Sequence, residues 1–170
     1  MKIKYSINDS LFGRLLVGVT GRGVCMVSLG DVDDSLVEAL HLGFPEAELI
    51  KDQAGLEETV RIILEYLFGR KFYLDLPVDI RTTAFRLKVY EALKAIPYGK
   101  TCSYEEIAQA IGEPKAVRAV GSACANNPVA LVIPCHRVVR KDGLLGGYRW
   151  GLGRKEKLLE MERRLTLLCE

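Results

Sequence analysis

Short blocks of alternating apolar and polar residues make up the first 81 residues of the chain. Two aliphatic runs flank Gly21-Arg22-Gly23, a turn sequence that predicts a β-hairpin. Further on, apolar residues recur at helical spacing, and Gly69 is a typical helix stop. The predicted elements are strands over 15–20 and 24–29, helices over 36–42 and 56–68, and an extended segment over 72–80. This order predicts a small α/β scaffold.

From residue 82 the pattern becomes helical. Apolar residues on one face predict a helix that Pro97-Tyr98-Gly99 ends. Ser103 followed by Glu106 has the spacing of a capping box, which places Ser103 at the N-cap of a second helix. After a short break, small residues over 116–123 predict a third helix. Two short helices across a tight turn are typical of a helix-turn-helix.

Charge divides the chain in the same place as the pattern. Residues 1–81 hold nine Lys and Arg against 13 Asp and Glu, a net charge of −4. Residues 82–170 hold 15 against nine, a net charge of +6. A basic segment that contains a helix-turn-helix favours contact with a polyanion such as DNA, although uneven charge also occurs on surfaces that bind nothing.

The third predicted helix has an unusual surface for a DNA-binding helix. Its residues are mostly Ala, Gly and Ser, and Arg118 is its one long cation. Small side chains allow a close approach to another backbone, so the helix suits a narrow groove, and Arg118 could enter the base stack. The alternative is an ordinary helical hairpin that binds nothing.

A candidate nucleophile follows the apolar run Leu131-Val132-Ile133, which we expect to be a buried strand. The next residues are Pro134-Cys135-His136-Arg137-Val138. A thiol reacts as thiolate, so a base or a positive charge must lower its pKa of about 8.5, and the two residues after Cys135 are candidates. Because adjacent side chains usually diverge, His136 would reach Cys135 through a water. Taken singly, a buried Cys and a buried His are more often structural.

An acid that orients His136 has to come from another segment. The last predicted helix, over 154–165, offers Glu156, Glu160 and Glu162. Spacing alone does not choose among them.

Three motifs together resemble the O6-alkylguanine-DNA alkyltransferase family: the pentapeptide around Cys135, Arg118-Ala119-Val120-Gly121, and Asn127-Pro128. The resemblance covers essentially the whole chain. It implies an α/β N-terminal domain over 1–81, with a small antiparallel sheet and helices of ribonuclease H-like type. It also implies a mainly helical domain over 82–170, with a winged helix-turn-helix, that binds DNA and accepts the alkyl group.

The resemblance assigns roles at the reactive centre. It implies that Cys135 accepts the alkyl group, that His136 deprotonates Cys135 through a water, and that Glu162 orients His136. Asn127 would brace the turn before the active strand. Tyr104 would push the 3′ phosphate during base flipping and donate toward the base.

The resemblance also implies contacts to DNA and to the flipped base. Arg118 would replace the extruded guanine in the duplex, approached from the minor groove. The other implied DNA contacts are Ser103, Tyr104, Lys115, Ala119 and Ser122. The implied base pocket consists of Gly147, Tyr148, Arg149 and the carbonyl groups of Cys135 and Val138.

The implied partner is double-stranded DNA that contains O6-alkylguanine, with O4-alkylthymine as a second substrate. Each molecule would act once, since a thioether has no leaving group, and no cofactor or metal is needed. Within residues 1–81 only Cys25 and His41 are soft ligands, so we predict no zinc. Five cysteines without CxxC spacing and the lack of a signal or membrane-spanning pattern predict a cytoplasmic protein, and we expect a monomer.

Two departures from the family pattern concern the size of the adduct. Val129-Ala130 lacks the second proline of some relatives, and Arg149 replaces a smaller residue. Two other functions stay open: a thiol hydrolase that uses Cys135 and His136 and turns over repeatedly, and a regulator that only binds DNA. Lesion-binding relatives that do not repair carry tryptophan at the cysteine position, which Cys135 argues against.

Overall fold

The computed structural model describes residues 1–169, which divide into two compact units. The first unit consists of residues 1–80 and 128–132, and the second of residues 81–127 and those from 133 onward. The chain therefore returns to the first unit for five residues before it reaches Cys135. The sequence analysis predicted a single boundary after residue 81 and did not indicate this return.

The first unit is a four-stranded sheet with two helices. Its strand order is β3-β2-β1-β4. β4 pairs parallel with β1 while the other pairs are antiparallel, so the sheet is mixed, whereas we expected an antiparallel sheet. The elements are β1 Lys2–Ser10, β2 Gly13–Val19, β3 Val24–Gly30, α1 Asp33–Gly43, β4 Glu48–Lys51 and α2 Glu57–Leu67.

The hairpin and both helices of this unit confirm the sequence prediction. β2 and β3 pair antiparallel across the predicted turn. The expected extended segment over 72–80 forms no strand and contributes one isolated bridge, Val24 to Val78. The sequence pattern missed β1 and β4, because β1 mixes polar residues into its buried side and β4 is only four residues long.

The predicted strand over 131–133 is absent, which corrects our reading of the segment before Cys135. Val27 donates its N–H to the Pro128 carbonyl at 3.0 Å, and Ala130 donates to the Val27 carbonyl at 3.0 Å. Leu131 then has a φ of 72°, a left-handed conformation that ends extended pairing. Residues 131–133 are buried in a turn and pair with no strand. Their apolar composition therefore indicated burial and not a β-strand.

The second unit, as far as residue 169, carries four α-helices and one short 3-10 helix. Thr83 caps α3 by accepting from the Arg86 N–H, and Ser103 caps α4 with the predicted capping box, at 3.1 and 3.3 Å. Residues 102–103 and 138–139 form a short parallel pair, and a tight turn over 140–144 completes the predicted wing. The elements are α3 Ala84–Lys94, β5 Cys102–Ser103, α4 Tyr104–Ala110, α5 Val117–Ala125, a 3-10 helix Cys135–Arg137, β6 Val138–Val139 and α6 Leu152–Leu168.

α4 and α5 form the predicted helix-turn-helix, and α5 is divided into two faces. Val120, Ala123 and Cys124 are buried, and the Tyr90 hydroxyl of α3 donates to the Ala123 carbonyl at 3.0 Å. The other face is exposed and carries Arg118, Ala119, Ser122 and Ala125. Across residues 1–169, no helix has the length and apolar character that crossing a membrane requires.

Candidate active site

Cys135 opens the 3-10 helix Cys135–Arg137 and is 4% exposed. The fully buried Asn127 side chain donates from Nδ2 to the Cys135 Sγ at 3.3 Å and to the Ile133 carbonyl at 2.9 Å. One amide thus spans the turn before the cysteine and contacts the sulfur. Asn127 lies where the family resemblance implies a brace.

Burial raises the pKa of the Cys135 thiol to about 11, although the Asn127 hydrogen bond and nearby positive charges oppose this effect. The resting group is therefore a neutral thiol at neutral pH. Any reaction that needs the thiolate must remove the proton and stabilise the charge inside the site.

His136 lies next along the 3-10 helix and is completely buried. Its Nε2 is 2.8 Å from Oε2 of Glu162 on α6. Glu162 is thus the one of the three glutamates left open by spacing that contacts the imidazole; Glu160 pairs with Arg163 instead. Because a carboxylate can only accept, Nε2 carries the proton and Nδ1 carries the lone pair.

Arg137 holds Glu162 from the other side, a contact that our sequence reading did not foresee. Its Nε donates to Oε1 at 2.8 Å and its Nη2 to Oε2 at 3.0 Å, while Nη1 donates to the Ile96 carbonyl at 2.8 Å. Such a bidentate pair fixes the carboxylate plane. The sequence placed Arg137 beside the thiol as a candidate charge, but in the structure its guanidinium orients the acid.

The protonation states of this cluster follow from its contacts. Burial raises the pKa of Glu162, but the hydrogen bonds from His136 and Arg137 and the charge of Arg137 outweigh it and hold the pKa at about 2. Burial lowers the pKa of His136, and Glu162 opposes that effect. At neutral pH the site thus combines a carboxylate, a guanidinium and a neutral imidazole that can accept a proton.

These shifts predict that acid unfolds the protein. Glu162 has a lower pKa in the fold than in an unfolded chain, so its contribution is present above about pH 4.5 and is lost as pH falls toward 2. His136 is held neutral in the fold, so protonation of the unfolded state removes stability below about pH 6.5. Urea unfolding between pH 7 and 3 should show a falling free energy.

A matched pair of variants assigns this decline. His136→Gln should flatten the part of the curve between pH 6.5 and 4.5, and the exposed His41→Gln in the first unit should follow the wild type. If His136→Gln and wild type have the same slope in that window, His136 is not held neutral by the fold.

A cavity of about 370 Å³ opens beside the sulfur. This volume is within the range of small-ligand pockets. Its lining includes the predicted pocket residues Gly147, Tyr148 and Arg149, together with the predicted donor Tyr104. The full lining is Tyr104, Gly121, Cys124, Ala125, Cys135, Gly147, Tyr148 and Arg149.

Tyr104 is fixed at the rim of this cavity by two glycines. The backbone of Gly147 lies near its hydroxyl, and Gly146, at φ 72°, packs against its ring and hydroxyl. A methyl group on Gly146 would lie 2.8 Å from the hydroxyl oxygen. Burial raises the pKa of Tyr104, so the hydroxyl keeps its proton and can donate it.

Arg149 also lines the cavity. Its side chain is exposed, yet Nη1 donates to the Asn127 carbonyl at 2.9 Å and the guanidinium lies 5.5 Å from the Trp150 ring centroid. Next to it, the Tyr148 ring meets the His136 ring edge-on at 6.5 Å. The loop over 147–149 therefore contacts Asn127 and His136, two of the predicted site residues.

The sequence analysis also did not predict the contacts of Lys155 on α6. Its side chain is fully buried, and Nζ donates to the Val138 carbonyl at 2.6 Å and to the Gly147 carbonyl at 3.0 Å. The sequence signal for its burial was its position: Lys155 lies at helical spacing from Leu158 and Glu162, on the buried face of α6.

The predicted DNA contacts all lie on or beside the helix-turn-helix. Arg118, Ala119, Ser122 and Lys115 are exposed, whereas Ser103 and Tyr104 are partly buried at the start of α4. Tyr104 also lines the cavity beside Cys135, whereas the other five residues lie outside that lining. Among residues 1–169, no group of three metal-ligating side chains occurs.

Comparisons with known families match both parts of the chain. Residues 3–80 match the family model described as 6-O-methylguanine DNA methyltransferase, ribonuclease-like domain. Residues 84–164 match the model described as 6-O-methylguanine DNA methyltransferase, DNA binding domain. Together the two matches cover nearly all of the chain and agree with the expected fold class.

Individual relatives match over similar lengths. The chain is 48% identical over 162 residues to the bifunctional transcriptional activator/DNA repair enzyme Ada of Escherichia coli, covering 95% of this chain but 46% of that protein. It is 44% identical to the inducible methylated-DNA–protein-cysteine methyltransferase of Bacillus subtilis, covering 95% and 86%. The chain thus spans about half the length of Ada and most of the length of the Bacillus protein.

A solved structure gives the same result in three dimensions. The crystal structure of Mycobacterium tuberculosis OGT in complex with DNA superposes with a TM-score of 0.82 at 35% identity, covering 95% of this chain and 94% of that one. Two family models, relatives above 40% identity and a shared fold agree with the resemblance read from the motif around Cys135. The chain belongs to the 6-O-methylguanine DNA methyltransferase family.

Proposed function

We propose that this chain repairs DNA by transferring the alkyl group of O6-alkylguanine to Cys135, once per molecule. The observation that carries this proposal is the Cys135 thiol in the wall of a base-sized cavity, next to a neutral His136 held by Glu162. The names of the Bacillus relative and of the DNA-bound mycobacterial structure support it. O4-alkylthymine is the second substrate that we infer.

The first step is removal of the thiol proton. His136 takes it on Nδ1 through a bridging water, and Glu162 stabilises the imidazolium that forms. Because the resting pKa of the thiol is about 11, the charge develops only as this transfer proceeds. Asn127 donates to the sulfur and keeps it aligned while the charge appears.

The second step is alkyl transfer. The sulfur attacks the alkyl carbon, an S–C bond forms, the C–O6 bond breaks, and its electron pair returns to the guanine. Tyr104 donates a proton toward the base, and the carbonyl groups of Cys135 and Val138 accept from its exocyclic amine. The thioether that remains on Cys135 has no leaving group, so the molecule is consumed.

The base must leave the duplex to reach a sulfur that is 4% exposed. We infer that α5 enters the minor groove with its face of small residues and that Arg118 fills the gap in the stack. Ser103, Lys115, Ala119 and Ser122 contact the backbone beside it. Phosphate contacts of this kind make the affinity fall as salt rises. We place this work in the cytoplasm and assign it to a monomer that needs no cofactor or metal.

The test is transfer of labelled methyl from O6-methylguanine in duplex DNA to the purified protein. We expect one methyl per chain, recovered on Cys135 by peptide mapping, and a reaction that stops when the protein is used up. Repeated turnover on a thioester would instead identify a thiol hydrolase. DNA binding without any transfer would identify a regulator, and the roles of His136, Tyr104 and Glu162 would fall with it.

A further inference from the structure

Arg149 places a positive charge in the wall of the cavity beside Cys135. Burial raises the pKa of the Cys135 thiol, and the charge of Arg149 is one of the effects that oppose it, so the guanidinium lies near the sulfur. Among residues 1–169, no other charged side chain lines this cavity. The Lys155 ammonium is outside the lining and donates to two backbone carbonyls. An anionic group that enters the cavity therefore meets one cation in its wall.

Two neutral groups hold the guanidinium and leave most of its donors unused. Nη1 donates to the Asn127 carbonyl at 2.9 Å, and the guanidinium lies over the Trp150 ring, 5.5 Å from its centroid. A guanidinium carries five N–H donors in one plane. Within residues 1–169 no carboxylate pairs with Arg149. Arg149 is therefore held in position while its charge remains available to a ligand.

The rest of the lining is neutral. Burial raises the pKa of Cys124 to about 12 and also raises the pKa of Tyr104, so both groups keep their protons at neutral pH. The remaining lining residues carry no charge. A carboxylate in this cavity would thus meet no acidic group that repels it, and without Arg149 it would lose its hydration with no charged partner.

The proposed reaction brings the alkyl group of the substrate to this place. In-line attack requires the alkyl carbon to lie between guanine O6 and the Cys135 sulfur, in the cavity that Arg149 lines. A methyl group offers nothing to a guanidinium. An alkyl group that ends in a carboxylate offers two oxygens, which match the planar donors of arginine.

We propose that Arg149 makes this cavity selective for O6-alkyl groups that end in a carboxylate, such as carboxymethyl. This inference deepens the proposed function and rests on it. The Cys135 sulfur bonds to the methylene carbon, the C–O6 bond breaks, and its electron pair goes to the guanine, which takes a proton from Tyr104. The carboxylate stays on the transferred group. Arg149 binds it and so reduces its repulsion of the attacking thiolate.

Iodoacetate and iodoacetamide test the cavity without DNA. They alkylate a thiol with a carboxymethyl and a carbamoylmethyl group, which differ in charge and hardly in size, and iodide leaves in both cases. The ratio of the two rates at one pH does not depend on the thiolate fraction, so the effect of Arg149 on the thiol pKa cancels. Fragment spectra are needed because Cys124 and Cys135 share the tryptic peptide 119–137.

Arg149→Met should lower the ratio of iodoacetate to iodoacetamide reaction at Cys135 by about tenfold, as expected for loss of a charged hydrogen bond. Arg149→Lys keeps the charge without the planar donors and should lower it less. Arg163→Met is the matched control, since Arg163 is exposed, pairs with Glu160 and lies outside this cavity. Thermal unfolding checks the fold of each variant, and Arg149→Gln replaces Arg149→Met if the latter does not fold.

The second measurement uses duplexes that carry O6-carboxymethylguanine, O6-carbamoylmethylguanine or O6-methylguanine at one position. We expect the single-turnover ratio of carboxymethyl to carbamoylmethyl transfer to fall about tenfold in Arg149→Met and to stay at the wild-type value in Arg163→Met.

Three results would decide against these proposals in different ways. A wild-type adduct ratio in a folded Arg149→Met that still transfers methyl would overturn the selectivity. Equal slowing of all three adducts together with weaker DNA binding would also overturn it and would assign Arg149 to a phosphate. A wild-type protein that transfers no group from DNA, while Arg149→Met still lowers the iodoacetate ratio, would overturn the proposed function and leave the anion preference of the cavity intact.

Discussion

Cys135→Ser is expected to abolish methyl transfer while leaving affinity for duplex DNA unchanged. Serine preserves the shape of the side chain, but its hydroxyl is a much weaker acid than a thiol, so neutral His136 cannot generate a useful nucleophile from it. DNA contacts are assigned to the exposed face of α5 and to phosphates, which the substitution does not touch. Labelled-methyl transfer and a binding titration at fixed salt measure the two quantities.

Cys124→Ser is the control for this variant, because Cys124 is buried and lines the same cavity. Burial raises its pKa to about 12, and no base contacts it, so we expect Cys124→Ser to keep one methyl per chain. Transfer that survives in Cys135→Ser and disappears in Cys124→Ser would move the acceptor role to Cys124.

Glu162→Gln is expected to slow methyl transfer by about two orders of magnitude, a typical effect of disabling a general base. The amide still fills the space between His136 and Arg137, but it carries no charge to stabilise the imidazolium that forms when His136 takes the thiol proton. The variant also leaves the Arg137 guanidinium buried with a neutral partner. Single-turnover rates on methylated DNA measure the effect.

The same substitution should reduce stability, because removing one partner of a buried ion pair typically costs about 3–5 kcal/mol. Glu160→Gln is the matched control, because Glu160 lies on the same helix, is exposed, and pairs with the exposed Arg163. We expect this control to keep wild-type rate and stability. A folded Glu162→Gln that transfers methyl at the wild-type rate would show that His136 needs no acid partner.

The group formed by His136, Arg137 and Glu162 has a proposed catalytic role and also stabilises the fold. Glu162 accepts from His136 and Arg137, and Arg137 also donates to the Ile96 carbonyl at the end of the segment after α3. Hydrogen bonds of Arg137 and Glu162 thus join α6, the 3-10 helix and the segment that follows α3. Variants here need a stability measurement beside each rate, since loss of fold and loss of catalysis would otherwise look alike.

Local sequence signals predicted most elements of the fold. The hairpin around residues 21–23 and the N-cap at Ser103 depend on turn and capping chemistry within a few residues. The small-residue composition of α5 and its one long cation, Arg118, were equally visible in the sequence. In these segments the structure depends on interactions between residues that are close in sequence.

The site itself was only partly predictable. The pentapeptide around Cys135 indicated the candidate nucleophile and its neighbour, but spacing could not choose among three glutamates, and resemblance alone pointed to Glu162. The predicted strand before Cys135 was wrong, because an apolar run reports burial and not the pairing that makes a strand. Residues 128–130 instead pair with β3, a contact from about 100 residues earlier in the chain.

By itself, the sequence determined the identity of the thiol, the helix-turn-helix and the division of charge, because these depend on residue type and short-range spacing. Only the tertiary structure decided which acid meets His136, that Arg137 clamps that acid, and that Lys155 brings a buried charge to Val138 and Gly147. Those contacts join α6 to segments 8 to 26 residues earlier. They form because burial leaves each charged group no water, so it must find its partners within the fold.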